Sequence, residues 1–312
     1  MTNSSTQMAG FRSGFVAVLG RPNVGKSTLV NQAVGTKVAI TSSRPNTTRH
    51  RIRGIFHTDE AQVVFVDTPG LHRPRSALGE RLNQTAMASF EDVDVVLAVV
   101  DASAPIGPGD KLVLDRCLSA VKKCNGLLHL LVVVNKIDSV GSSKVLERLS
   151  SVSRVVDEIC STIQLSSERI EDVEFFPVSG ATGKGVDVLI KSVIERLPVG
   201  PQYFPSDMLT DTPEMLWVAE LVREQLLARV RDELPHSIAC RITEWEWPRI
   251  RCEILVERDS QKAIVIGKRG ELLKAVGIAA RSEIGDGVYL ELVVRVDERW
   301  QQREASLDRL GY

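Results

Sequence analysis

Short apolar runs recur through the first two hundred residues, each closed by a polar or turn residue. They are "FVAVLG" (15–20), "VVFVD" (63–67), "VVLAVVD" (95–101), "LLVVVN" (130–135) and "EFFPVS" (174–179). The runs are continuous rather than alternating, which predicts strands covered on both faces of a mostly parallel sheet. Intervening segments such as 143–165 are long enough for crossover helices. The pattern therefore predicts an α/β, doubly wound domain over residues 14–198, with ligands expected beyond the carboxyl ends of its strands.

The grammar then changes. "LPVGPQYFPSDMLTDTP" (197–213) holds four prolines and few helix or strand signals, and 199–213 is predicted as a linker. Thr212 is placed to cap a helix with Pro213 at its first position. Beyond it, Val218, Val222, Leu226, Val230 and Leu234 recur every four residues and predict one buried stripe. Two alternating segments follow: Ile250, Cys252, Ile254 and Val256 share one face, and Val288, Leu290, Leu292, Val294 and Val296 another. Between them lies a helical run broken by two glycines, which completes a smaller α+β domain over 214–312.

Composition narrows the picture. The 312 residues carry 39 basic and 40 acidic side chains, so the chain as a whole is no polyanion binder. Cysteines 117, 124, 160, 240 and 252 are scattered, with no pairing or zinc spacing, and read as small apolar residues in a reducing compartment. Residues 1–13 are polar and predicted to be a flexible tail. The most apolar stretches fall well short of a membrane span, so a cytoplasmic protein is expected.

"GRPNVGKST" (20–28) fits the phosphate-loop pattern and sits between a strand and a helical pattern. A chance match in a chain of this length is on the order of one in a hundred. Gly20 and Gly25 let the backbone curl around Arg21, Pro22, Asn23 and Val24 so that N–H groups face phosphate. Lys26 supplies a charge to the outer phosphates and Ser27, followed by Thr28, a hydroxyl to Mg2+. "NKID" (135–138) closes a strand and names the base: the Asp138 carboxylate can accept from both donors on the guanine edge, whereas adenine would leave it unpaired. Asn135 can bond the base and tie loops together, and the Lys136 stem can cover the ring. GTP is the predicted ligand.

Residues 20–27, "NTTRH" (46–50), "DTPG" (67–70), 135–138 and "SGA" (179–181) resemble, in order, the five motifs of a GTPase. The resemblance implies that Thr48, beside Thr47, meets Mg2+ and the γ-phosphate, that Asp67 holds the metal through water, and that Gly70 offers its N–H to the γ-phosphate. Lys26, Thr48 and Gly70 are then the catalytic candidates. Ser179, Gly180 and Ala181 form the fifth motif, where Gly180 replaces a usual alanine and predicts a looser loop. At the position of a Ras-type water-orienting glutamine stands Leu71. Slow hydrolysis is expected, organised by a group on the Thr47–Thr48 loop, by a bound partner or by K+, the last a candidate because Asn23 resembles the asparagine of potassium-using relatives.

In the second domain, "VIGKRGELLK" (265–274) places Gly267, Lys268, Arg269 and Gly270 between helical segments. Such a turn suits single-stranded RNA, with Ile264 and Ile266 as a floor for bases and Lys268, Arg269 and Lys274 facing phosphate. From residue 201 onward the chain carries 16 basic and 20 acidic residues, so affinity must come from a local strip that also draws on Lys262 and Arg281. Trp245 and Trp247 alternate on one strand face and are expected to pack. The five histidines (50, 57, 72, 129 and 236) are dispersed and expected in structural or surface roles.

A GTPase domain, a proline-rich linker and a G-x-x-G domain together resemble the Era family, as do "ELPHSIACRITEWEW" and "DTPGLHRP". That resemblance implies a type II KH domain, binding to the 3′ end of 16S rRNA, and help in assembling the 30S subunit by a monomer. Two other readings stand beside it. One is a regulatory GTPase whose last domain binds protein; the other acts peripherally at a membrane surface, for which no amphipathic basic helix speaks.

Overall fold

The computed structural model describes residues 10–74, 76–90, 92–124, 128–166, 173–232 and 234–312. Two compact units emerge. The first comprises residues up to 39, 51–72 and 83–211; the second comprises 40–50, 73–82 and 212–312.

In the first unit, β1 (Arg12–Gly20), β2 (Ile52–His57), β3 (Ala61–Asp67), β4 (Val95–Asp101), β5 (His129–Asn135) and β6 (Glu174–Pro177) form one sheet. Its order is β2-β3-β1-β4-β5-β6, parallel except for β2. The five expected runs are all strands. β1 begins at Arg12, so Arg12 and Ser13 belong to the sheet and not to a tail; residues 1–9 of that tail lie outside the described residues. β2 was not anticipated, because "IRGIFH" mixes burial with exposure as an edge strand does.

Alternate residues of the central strands enter two cores. Ala17, Leu19, Ala98, Val100, Val132 and Val134 pack with α3 (Pro108–Lys123) and α4 (Ser142–Ile163). Val16, Val18, Leu97, Val99, Leu131 and Val133 pack with α1 (Lys26–Val34) and α5 (Val186–Arg196). Register then does functional work: Val18 lies beside Asp67, and Asp101 beside Asn135, so polar residues gather at the carboxyl edge.

The proline-rich stretch is strapped along the first unit. Gln62, fully buried, donates Nε2–H to the Phe204 carbonyl (2.8 Å) and accepts from the Tyr203 and Phe204 N–H groups (2.8 and 3.0 Å). Ile55 N–H donates to the Leu209 carbonyl at 2.8 Å, and Ser13 Oγ to the Pro201 carbonyl at 2.7 Å.

The second unit contains α6 (Glu214–Arg229), α7 (Leu234–Ser237), β7 (Ala239–Glu246), β8 (Arg249–Val256), α8 (Asp259–Ile266), α9 (Glu271–Ile284), β9 (Tyr289–Val296) and α10 (Glu304–Leu310). Helix α2 (Ala77–Ala88) begins in its 73–82 segment. β8 is central, antiparallel to β7 and parallel to β9. The stripe Val218, Val222, Leu226, Val230 and Leu234 packs on the face formed by Ile250, Cys252, Ile254 and Val256, with Val276 and Ala280 of α9 in the same core.

Two local expectations fail. α6 starts one residue later than expected, so that Pro213 and not Thr212 stands at its N-cap; the proline carbonyl accepts the first helical bond, from Trp217 N–H at 3.0 Å. Trp245 packs on the core, but Trp247 lies beyond the end of β7 in a turn and is 62 % exposed. Cys117, Cys160, Cys240 and Cys252 are buried free thiols and Cys124 a half-buried one, as expected of apolar filler.

Gln62→Leu leaves the Tyr203 and Phe204 N–H groups without their buried acceptor. A loss of about 2–4 kcal/mol in urea unfolding is expected, with earlier proteolysis within 200–210.

Candidate functional site

The loop after β1 is shaped by what its glycines exclude. A Cβ on Gly20 would meet the Val99 carbonyl at 2.7 Å; one on Gly25, whose φ is +90°, would meet Asn135 Nδ2 at 2.5 Å. Val24 is fully buried, so the loop between the glycines is pinned from beneath. Lys26 opens α1, is 6 % exposed, and directs Nζ back at the Gly20 and Arg21 carbonyls (3.3 and 3.4 Å). Burial pushes its ammonium down to about 8, with Asp67 pulling the other way. Ser27 Oγ donates to Asp67 Oδ2 at 2.6 Å, and Asp67 is fully buried. Pro22 lies against Gly70, whose hypothetical Cβ would sit 2.7 Å from the Pro22 nitrogen, while Thr28 follows within α1. Lys26, Ser27, Asp67 and Gly70 are thus brought together.

Asn135 organises the opposite side. Its Nδ2 donates to the carbonyls of Val24 (2.9 Å) and Gly25 (3.3 Å), and its Oδ1 accepts from Gly180 N–H (2.9 Å). Asp138 accepts from Ser179 Oγ at 2.5 Å. Gly180 is not loose: a Cβ there would lie 3.0 Å from the Leu29 backbone, so the missing alanine methyl is what lets this loop close on α1. Ala181 is exposed at the rim.

Sequence reasoning missed two acids. Asp101, at the end of β4, accepts from Lys136 Nζ at 2.7 Å; Lys136 Nζ also donates to the Asn23 carbonyl at 2.6 Å, and Asn23 holds φ +66°. Burial alone would raise the Asp101 carboxyl, but Lys136 and Ser103 hold it below its ordinary value. Asp110, in the first turn of α3, accepts from Arg21 Nε at 2.9 Å. The available signal for Asp101 was its position at the carboxyl end of an apolar run next to the Asn135 strand.

Leu71 has a structural job. It is 5 % exposed within the core of α3 and α4, and its N–H donates to the Gly20 carbonyl at 3.2 Å. Of the histidines, His72 Nδ1 lies 3.0 Å from the Gly70 carbonyl, and His50 stacks on Tyr312 with ring centroids 4.8 Å apart. Thr47 and Thr48 belong to the second unit, where Thr48 is 8 % exposed and Thr47 Oγ1 donates to the Arg44 carbonyl at 2.7 Å.

The G-x-x-G turn is as expected in position and different in cause. Gly267 (φ +76°) would place a Cβ 2.8 Å from Leu272 Cβ, so its freedom is spent on α9. Gly270 (φ +79°) faces open space. Between them Arg269 adopts φ +51°, an unusual conformation for a side-chain-bearing residue. Lys268, Arg269 and Lys274 are exposed, as is Ile264 at 55 %, whereas Ile266 leans on the core. Glu271 opens α9 and tempers the positive strip.

A model described as "50S ribosome-binding GTPase" matches residues 15–136, and one described as "KH domain" matches 233–301. The GTPase Era of Mycobacterium tuberculosis (strain ATCC 25177 / H37Ra) is 47 % identical, covering 98 % of this chain and all of the relative. A crystal structure of an Aquifex aeolicus Era variant bound to GDP.AlF4- matches with a TM-score of 0.84 and 38 % identity, over 97 % of this chain and 99 % of that one. Era in complex with MgGDPNP and nucleotides 1506–1542 of 16S ribosomal RNA matches with the same TM-score, 37 % identity and the same coverage.

Leu71→Gln would bury an amide in an apolar cluster. A destabilisation of about 2–3 kcal/mol is expected in thermal or urea melts. An unchanged melt would mean that the side chain at 71 turns to solvent.

Proposed function

The chain belongs to the Era family of GTPases, and from that membership we propose a GTP-hydrolysing switch that binds the 3′ end of 16S rRNA while the 30S subunit is assembled. The carrying observation is one chain holding both a guanine-type clamp, Asp138 fixed by Ser179 beside Asn135, and an exposed Gly267–Gly270 turn. The proposed mode of action is that of a monomer in the cytoplasm. Among the described residues no helix is long and apolar enough to cross a membrane.

In this reading the backbone N–H groups of residues 20–27 cradle the phosphates and Lys26 turns from its own carbonyls to the β- and γ-oxygens. Ser27, half-buried, and Asp67, fully buried, have their oxygens 2.6 Å apart and are hard oxygen donors that suit Mg2+. Thr48 completes that set. The metal, when bound, supplies charge neutralisation between the phosphates. Gly70 N–H and Lys26 hold the γ-phosphate, while Leu71 stays in the core and leaves the water without a Ras-type partner, so basal turnover is slow. Asn23, whose backbone is fixed by Lys136, is the candidate contact for K+.

Three measurements test this reading. RNA filter binding in the GTP-bound form should be lost with Lys268→Asp together with Arg269→Asp, while GTP affinity is retained; unchanged RNA binding would favour a protein-binding role for the second unit. Turnover should be faster in K+ than in Na+, a difference that Asn23→Ala removes; equal rates exclude the cation.

The third concerns pH. Lys26 is charged below about 8 in the free protein and neutral above it. Bound phosphate favours its charged form, so nucleotide binding takes up a proton at higher pH. GDP affinity should be level near pH 7 and fall above about 8 by up to about tenfold per pH unit. Titration with a fluorescent GDP between about pH 7 and about pH 9 reads this out, and a flat profile would count against the assignment of Lys26.

A further inference from the structure

The segment 40–50 belongs to the second unit, and two charged side chains of α6, Arg223 and Glu224, bind it there. Arg223 on α6 is fully buried and forms a two-point pair with Glu220, 5 % exposed: Nε to Oε1 at 2.8 Å and Nη2 to Oε2 at 2.5 Å. The same Nη2 donates to the Thr47 carbonyl. The next residue, Glu224, accepts the Thr41 N–H at 2.8 Å. The segment returns the contact at both ends. Arg44 Nη2 donates to the Val230 carbonyl at 3.1 Å, and buried Arg49 to the Ile238 carbonyl at 2.7 Å, with its guanidinium 5.5 Å from the Trp300 ring centroid.

The Thr47 carbonyl and the Thr48 N–H belong to one planar peptide unit. A donor that fixes the carbonyl therefore fixes the direction in which Thr48 leaves the chain. A buried ion pair is a poor source of stability, since its desolvation rivals its attraction, and well-packed apolar substitutes are often as stable. What Glu220 and Arg223 supply instead is a defined position for one acceptor. α6 lies outside the matched KH region, so nothing in KH-type RNA binding accounts for this pair.

We propose that Arg223, oriented by Glu220, is a positioning residue for the Mg2+- and γ-phosphate-binding threonine, Thr48. The inference rests on the role given to Thr48 under Proposed function. GDP lacks the γ-phosphate and does not need Thr48, so only GTP is affected.

The test uses the full chain, with fluorescent GDP and a fluorescent non-hydrolysable GTP analogue titrated in Mg2+. Arg223→Met combined with Glu220→Leu removes both charges of the pair, while Arg49 keeps its carbonyl partner Ile238. Its melting temperature and GDP affinity should be unchanged or higher. Affinity for the GTP analogue and kcat should each fall by about tenfold or more, and proteolysis within 40–50 should no longer be suppressed by that analogue. Arg223→Lys, which keeps one donor, should recover part of the loss.

Thr48→Ala separates the two readings. If it leaves the preference for the GTP analogue intact, the assigned role of Thr48 is wrong. If it abolishes the preference while the Arg223 and Glu220 variant keeps it, the positioning role alone is overturned. Tighter binding of the analogue by that variant would make the pair a restraint on the loop, and would overturn the proposal as well.

Discussion

The Asn135 side chain holds the nucleotide end of the first unit together. One amide donates to the carbonyls of Val24 and Gly25 and accepts from Gly180 N–H, so loops from three strands share one buried group. Every half of the amide is satisfied, which a carboxylate or an aliphatic isostere could not achieve. The surrounding small residues follow from it. Gly25 is glycine because Asn135 Nδ2 would occupy the space of its Cβ, and Gly180 is glycine because its loop is drawn onto the backbone of α1. With the loops closed, Lys26, Ser27 and Asp67 face one another from fixed positions instead of from mobile segments.

A second layer of charge supports that arrangement. Asp101 holds Lys136, Lys136 holds the Asn23 carbonyl, and Asp110 holds Arg21, so the phosphate loop is gripped from α3 and β4 as well as from β5. Leu71 belongs to the same logic. The residue after Gly70 is part of the hydrophobic core, and the backbone bond from its N–H to Gly20 sets the height of the Asp67–Gly70 loop. An amide side chain there would have to leave the core before it could orient anything.

The two units differ in how they spend buried polarity. In the first, polar groups cluster at the carboxyl edge of the sheet, where a ligand binds. In the second, buried charge on α6 is directed at residues 40–50, and the exposed turn at Gly267–Gly270 carries positive charge at Lys268 and Arg269. Gly267 is constrained by Leu272 and Gly270 only by its backbone angle, so the turn is rigid on its inner side and open on the outer one.

Much of this was legible in order along the chain. Continuous Val- and Leu-rich runs determined the parallel strands, because a strand covered on both faces has no polar position to alternate with. The phosphate loop, the Asn135–Asp138 motif and the Gly267–Gly270 turn were readable because each demands residue types at a fixed spacing. Edge strand β2 was not, since half its residues are only partly buried and its pattern resembles a loop. Asp101 and Asp110 were not singled out either, because only β4 and α3 bring them to Lys136 and Arg21. The sequence pattern puts Thr212 at the N-cap of α6, but the helix begins one residue later and Pro213 takes that position. Glu220 and Arg223 were not singled out from the sequence; their burial and the grip on Thr47 depend on α6 meeting a segment 176 residues away. Local pattern determines which segments become strands, helices and phosphate-binding turns. Which charges lose their water, and what they then must hold, is decided only when distant segments pack, because desolvation is a property of the assembled neighbourhood.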